Sequence, residues 1–265
     1  MKNFIQELSM HYIVFDLEFN QDLPSLCLPD EAVTQCPFEI IQIGAIKLDL
    51  AFHTVATFDR YIKPTIYRQI STFVTDLTGI RTERLSLEAP FPQVFNDYID
   101  FIGDTDTVFC VWGTSDMKEL YRNSSFHKLE KKRIPDMFIN IQPYVSAHLN
   151  ISNNKLLSLE AAIKELGVLT PYPFHNAFYD AFYTAEIFKK IKSPLVQPKR
   201  YIPDSTPSRP RQPKKIIDFE KLLQQFEKMY QRELSEEEKS MITLAYKMGK
   251  TNQFVQYDSE PKPPS

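Results

Sequence analysis

Two acids stand two residues apart in the run Tyr12-Ile13-Val14-Phe15-Asp16-Leu17-Glu18-Phe19. The run is apolar and rich in β-formers, which predicts a strand. Alternate side chains of a strand share a face, so both carboxylates lie on one side. Two anions so crowded need a cation, or one of them must hold a proton. A divalent oxygen-seeking ion, Mg2+ or Mn2+, satisfies both; a solvated strand end is the plainer alternative. Asp116 follows a short apolar run, Thr107 to Trp112, and a break at Gly113, at the head of a helix predicted from Ser115 to Tyr121. The helix dipole alone also favours an acid there. His175 and Asp180 belong to the segment His-Asn-Ala-Phe-Tyr-Asp. Five residues along a helix turn by about 140°, so two mid-helix side chains would diverge. With His175 ahead of the helix and Asp180 one turn in, both face one cleft. Asp180 also sits within the aromatic stretch Phe178 to Phe182, where an unpaired buried carboxylate is costly.

These residues need elements to hold them. After the first strand comes a polar, Pro-containing loop from Asn20 to Pro37, then strands at 40–48 and 54–62. Three strands with short links predict an antiparallel meander. Ser71 to Leu77 and Phe91 to Ile102 read as helices, the second with Val94, Phe95, Tyr98 and Ile102 on one face. Thr107 to Trp112 and Met137 to Ile141 read as buried strands. Leu159 to Leu166 is a short helix closed by Gly167. A last helix follows His175, with Asn176 as its N-cap and Phe178, Ala181, Phe182, Ala185 and Phe188 at helical spacing. The expected architecture is α/β: a mixed five-stranded sheet flanked by helices, with a C-terminal helical appendage.

Composition narrows the function. The chain has 265 residues, 43% hydrophobic and 25% charged, with only 6 Gly. This is ordinary for a globular domain and argues against glycine-rich phosphate loops. No run approaches the roughly 20 apolar residues of a membrane helix, so no membrane partner is expected. The N-terminus carries Glu7 and no apolar signal core, and Cys27, Cys36 and Cys110 show no CxxC spacing. A reducing cytoplasm is therefore expected, without structural zinc or a disulfide framework. Residues 1–192 carry 18 basic against 24 acidic side chains, and residues 193–265 carry 13 against 10. That balance excludes a nucleic-acid-coating protein but not an enzyme whose metals supply positive charge locally. Between Pro194 and Lys215 stand six prolines and six basic residues with one acid, Asp204, which reads as an extended linker. Beyond it lie two amphipathic helices, the second opened by the capping box Ser235-Glu236-Glu237-Glu238. The expected domains are an N-terminal extension at 1–9, a catalytic domain at 10–192, a Pro-rich basic linker at 193–215, a two-helix appendage at 216–250 and a flexible tail at 251–265.

Taken together, Val-Phe-Asp-Leu-Glu-Phe, then Val-Trp-Gly-Thr-Ser-Asp-Met-Lys-Glu-Leu, then His-Asn-Ala-Phe-Tyr-Asp-Ala form an ordered set. In these motifs, in Glu39 to Ala45 and in Leu77 to Ile80, the chain resembles the DEDDh family of 3′–5′ exonucleases, which have the ribonuclease H-like fold. The nearest resemblance is to the Eri-type exoribonucleases and their bacterial KapD-like relatives, over about residues 10–192. The resemblance implies that Asp16, Glu18, Asp116 and Asp180 hold two divalent ions, Mg2+ or Mn2+, and that His175 is the general base. Asp16 would bridge the ions and Asp116 would act through coordinated waters. Two ions about 3.5–4 Å apart clamp a phosphodiester, one generating hydroxide and the other stabilising the leaving 3′ oxygen. An imidazole suits the proton transfer. The expected activity is hydrolysis of single-stranded 3′ ends, RNA favoured over DNA, releasing nucleoside 5′-monophosphates. A DNA proofreading or repair exonuclease and a catalytically silent nucleic-acid-binding regulator are the alternatives.

Softer candidates carry two readings each. Thr78, Gly79 and Ile80 either line the terminal nucleotide, as the resemblance implies, or form a helix-ending turn. Phe19 and Trp112 either stack on a base or fill the core. Lys128, Lys131, Lys132 and Arg133 either steer phosphate or make a solvated surface. The two C-terminal helices either assist substrate capture or a protein partner, or pack on the catalytic domain.

Overall fold

The computed structural model describes residues 10–21, 35–67, 69–103, 106–151, 156–191, 196–203 and 218–250. The expected extension at 1–9, the tail at 251–265, Cys27 and most of the 20–37 loop lie outside the described residues.

The central sheet begins as a meander: β1 (His11–Asn20), β2 (Glu39–Leu48) and β3 (Thr54–Tyr61) are antiparallel neighbours. β4 (Thr107–Val111) then joins the other side of β1 in parallel, and β5 (Met137–Asn140) joins β4 in parallel. The sheet has six strands rather than five, in the order β3-β2-β1-β4-β5-β6. The extra strand, β6 (Lys199–Arg200), runs antiparallel to β5. It falls inside the segment expected as a linker. Two residues between Pro198 and Pro203 suffice because an edge strand needs donors on one side only. Tyr201 continues the attachment: its N–H donates to the Asp136 carbonyl at 2.6 Å, and its ring packs on Tyr121 and Phe138. The described residues of this first unit run to Pro203.

The helices are α1 (Thr72–Thr78), α2 (Thr82–Leu85), α3 (Phe91–Ile102), α4 (Ser115–Phe126), α5 (Gln142–His148), α6 (Leu159–Leu166) and α7 (Ala177–Ile191). Strand alternation divides the core in two. Ile13, Phe15 and Leu17 of β1 pack with Val94, Phe95 and Tyr98 of α3 and Met117 and Leu120 of α4. Val14, with Ile46, Val108 and Cys110, packs against Ile163 of α6 and Tyr183, Ile187 and Phe188 of α7. Asp16 and Glu18 follow the parity of Val14, so they point to the α7 face. Cys36 and Cys110 are buried free thiols. No helix among the described residues is long and apolar enough to cross a membrane.

The second unit, Pro207–Ser265, contains α8 (Phe219–Tyr230) and α9 (Glu236–Lys250). Asp218 caps α8 by accepting from the Lys221 N–H at 3.1 Å. Ser235 and Glu238 exchange the two bonds of a capping box, 3.2 and 2.9 Å. Phe219 and Tyr246 meet edge to face at 5.4 Å.

Candidate active site

The end of β1 supplies two acids, and the first turn of α7 brings a third. Ligand oxygens of Asp16, Glu18 and Asp180 all lie within 4.8 Å of one another. Asp180 is buried, and its Oδ2 accepts the His175 backbone N–H at 3.1 Å. Its Oδ1 is buried without a partner among the described residues. An orphaned buried carboxylate oxygen on a member of an acid cluster suits cation binding, because an unpaired buried charge is otherwise costly. Asp116, buried in the first turn of α4, stands outside that tight triad but within its electrostatic reach.

The cluster perturbs itself. Burial first, then Asp116, Glu18 and Asp180, holds the Asp16 carboxyl well above the usual carboxylate range. Burial, with Asp180 and Asp116, pushes Glu18 up to about 8. Asp116 rises to about 7, mainly through burial, against the lowering effect of its own backbone N–H. Asp180 rises to about 6 by burial, restrained by the backbone N–H and charge of His175. Burial and mutual repulsion thus favour the protonated acids, an effect an oxygen-seeking divalent ion would reverse.

A network sets the start of α7. Gln42 is fully buried on β2 as the register partner of Glu18. Its Oε1 accepts the Ala177 N–H at 3.2 Å, and its Nε2 donates to Asp59 Oδ1 at 2.9 Å and Asn176 Oδ1 at 3.3 Å. Asn176 caps the helix, its Oδ1 accepting from the N–H groups of Phe178 and Tyr179 at 3.1 and 3.3 Å. His175 lies just ahead, exposed and at φ +62°, a left-handed conformation uncommon for a residue with a side chain. Behind it, the buried Tyr183 hydroxyl donates to the Tyr172 carbonyl at 2.6 Å and accepts the Tyr172 N–H at 2.8 Å. Neither Gln42 nor Tyr183 was singled out by sequence. Their only signal is a polar atom within an otherwise apolar run.

The softer candidates separate. Phe19 follows the parity of Leu17, packing with the α3–α4 core and against Phe38 with ring centroids 6.2 Å apart. The β1–β2 register shifts between Glu18 and Phe19, where Ile41 of β2 is skipped. Trp112 lies on the α7 side of the sheet, half-buried, with its indole Nε1 unpartnered among the described residues. Thr78 spends its hydroxyl on the end of α1, donating to the Val74 carbonyl at 2.8 Å and accepting the Ile80 N–H at 3.1 Å. Gly79 takes φ +72° as the left-handed cap, and Ile80 is buried with Ile41, Ile70, Val74 and Leu85. The three form a helix-ending turn whose Ile80 side chain enters the core. Lys131, Lys132 and Arg133 line an 860 Å³ cavity beside Met10, Thr107 and Met137. Those residues begin the parallel strands, at the end opposite the carboxylates. Lys131 bonds Ser125 and Arg133 pairs with Asp100, so this cluster is remote from the acids and partly self-neutralised.

A mixed sheet with carboxylates gathered at the end of its central strand defines a ribonuclease H-like nuclease fold. The chain belongs to the RNase_T exonuclease family, whose model matches residues 13–188. It is 29% identical over 157 residues to the PolC-type DNA polymerase III of Thermotoga maritima, covering 58% of this chain and 10% of that protein. It is 26% identical over 181 residues to the Streptococcus pneumoniae enzyme of the same type, covering 66% and 11%. The chain thus spans about a tenth of the length of these curated relatives. Among solved structures it resembles the nuclease domain of 3′hExo, a DEDDh family member bound to rAMP. There the TM-score is 0.61 at 22% identity, covering 72% of this chain and 97% of that one. Escherichia coli Exonuclease I in complex with a dA16 oligonucleotide gives a TM-score of 0.52 at 17% identity, covering 69% and 41%.

Proposed function

We propose that the protein is a divalent-metal-dependent 3′–5′ exonuclease that removes nucleotides from single-stranded ends and releases nucleoside 5′-monophosphates. The observation that carries this reading is the convergence of Asp16, Glu18 and Asp180 within 4.8 Å, with one Asp180 oxygen unsatisfied. These three would hold the ions, and Asp116, buried in the first turn of α4, would complete the set. When bound, such ions neutralise the phosphodiester and ease deprotonation of the attacking water. His175, exposed just ahead of α7, would accept that water's proton on its imidazole. Its backbone N–H meanwhile holds Asp180 in place, so base and ligand are placed by one short segment.

RNA is the favoured substrate, supported by the motif resemblance to RNA-trimming enzymes. The similarity to PolC-type DNA polymerases supports DNA as a second reading. Incubating 5′-labelled RNA and DNA oligonucleotides with Mg2+, Mn2+ or EDTA tests both. Metal-dependent ladders shortening from the 3′ end are expected, faster on RNA. Faster DNA cleavage would select the second reading, and no cleavage under any metal would leave a silent binding protein. The α8–α9 unit assists substrate capture or partner docking in this reading and takes no part in bond cleavage, since none of the acids lies within it.

A further inference from the structure

The loop ahead of α7 holds an aromatic ring open to solvent on a firmly fixed backbone. Tyr172 is 43% exposed, although the buried Tyr183 hydroxyl grips both its N–H and its carbonyl. Its ring stacks on Tyr179, centroids 4.6 Å apart and planes 8° from parallel, with Phe182 edge-on at 5.6 Å. Across Asn176 stands a second feature of the same kind. The guanidinium of exposed Arg84 lies 3.9 Å over the Tyr61 ring. Asn176 joins the two: its Nδ2 donates to the Tyr61 hydroxyl at 3.1 Å, and its Oδ1 accepts the Tyr179 N–H at 3.3 Å. Arg84 has no carboxylate partner among the described residues. A solvent-exposed ring and a cation without a carboxylate partner therefore flank the peptide that carries His175.

We propose that Tyr172 and Arg84 form a ledge for the part of the single strand left outside the cleft: Tyr172 stacks on a base 5′ of the terminal nucleotide, and Arg84 pairs with a backbone phosphate. This rests on the nuclease reading above. The chemistry fits a single strand. Every base has a π-face, so stacking tolerates any sequence. A guanidinium stacked on a ring keeps its in-plane N–H donors for a phosphate. The two Tyr183 bonds and the Tyr179 stack order Tyr172 beforehand, which lowers the cost of fixing it on binding.

The test compares the mononucleotide ester thymidine 5′-p-nitrophenyl phosphate with an eight-nucleotide single strand, using the full chain. Tyr172→Ala should raise KM for the eight-mer by about tenfold with kcat kept, and the penalty should be absent on the ester. Tyr172→Phe, which keeps the π-face, should behave as the parent. Arg84→Ala should lower the slope of log Kd against log salt by about 0.7, one phosphate contact on a single strand. A parent that cleaves neither probe overturns the nuclease reading and the ledge with it. A parent that cleaves both, with Tyr172→Ala unchanged on the eight-mer or equally impaired on both probes, overturns the ledge alone.

Discussion

Gly44 lies directly beneath the first turn of α7: a Cβ added there would stand 2.1 Å from the Phe178 backbone nitrogen and 2.2 Å from the Ala177 carbonyl carbon. Gly44 is also the register partner of Asp16. The bare Cα therefore determines how near the helix of Asp180 comes to the strand of Asp16. Backbone fills the space, so no side-chain rotation can relieve a substitution.

Gly44→Ala should push α7 outward and separate Asp180 from Asp16. Overpacking of this kind costs about 1–3 kcal/mol, and a shift near 1 Å costs about 10²-fold in rate. Melting curves and steady-state kinetics on a labelled oligonucleotide check both. A fully active Gly44→Ala enzyme would show that the α7–β2 spacing does not control the acid cluster.

Asp16→Ala and Asp180→Ala should each nearly abolish cleavage and leave the circular dichroism spectrum unchanged. Each removes a ligand oxygen and little apolar surface. Retention of activity within about threefold in either variant would contradict the two-metal assignment. His175→Ala should reduce kcat by about 10²-fold or more and flatten the limb of the pH–rate profile that reports the base, with metal affinity kept.

Metal removal should give the fold an inverted pH dependence. The folded acids bind protons more tightly than the unfolded chain, with Glu18 raised to about 8, Asp116 to about 7 and Asp180 to about 6. Between the ordinary carboxylate range and about 8, the native state thus holds more protons than the unfolded state. Stability must fall as pH rises through that window. In EDTA the melting temperature should drop from pH 5 to pH 8, and Mn2+ should restore it mainly at pH 8. Glu18→Gln should lose activity yet raise the metal-free melting temperature at pH 8, by about 2–4 °C for each kcal/mol of repulsion relieved. A metal-free melting temperature independent of pH, or no gain from Glu18→Gln, would count against mutual repulsion in the cluster.

Tyr183→Phe removes one oxygen and keeps the ring. The Tyr172 N–H and carbonyl lose their shared partner, which should cost about 1 kcal/mol of stability and loosen the segment ahead of His175. A kcat reduced by about tenfold, with metal affinity unchanged, would fit a positioning effect on the order of that seen for slight misplacement. Parent-like kcat would mean that the clamp serves folding alone.

Much of the chemistry was readable because it obeys local rules. Period-two alternation put Asp16 and Glu18 on one face, and Asn176 was a recognisable cap with His175 outside the helix and Asp180 one turn in. The same alternation, carried one residue past Glu18, also separates Phe19 from the site face. What could not be read was long-range. Gln42 meets Asp59, Asn176 and Ala177 across 17, 134 and 135 residues, and no local pattern announces such pairs. β6 escaped notice because prolines dominate its surroundings, and α5 because Pro143 opens a helix only seven residues long.

The outermost strand has a practical consequence. β6 pairs with Met137 and Phe138 at the edge of β5, and Tyr201 packs on the rings of Tyr121 and Phe138. A chain cut at 192 would lose both, baring a row of backbone donors and acceptors beside an aromatic patch. Such an edge is a template for pairing with a second copy. The shortened protein would be prone to dimerise or precipitate for reasons unconnected with catalysis, whereas a cut beyond Pro203 keeps Met137 and Phe138 paired.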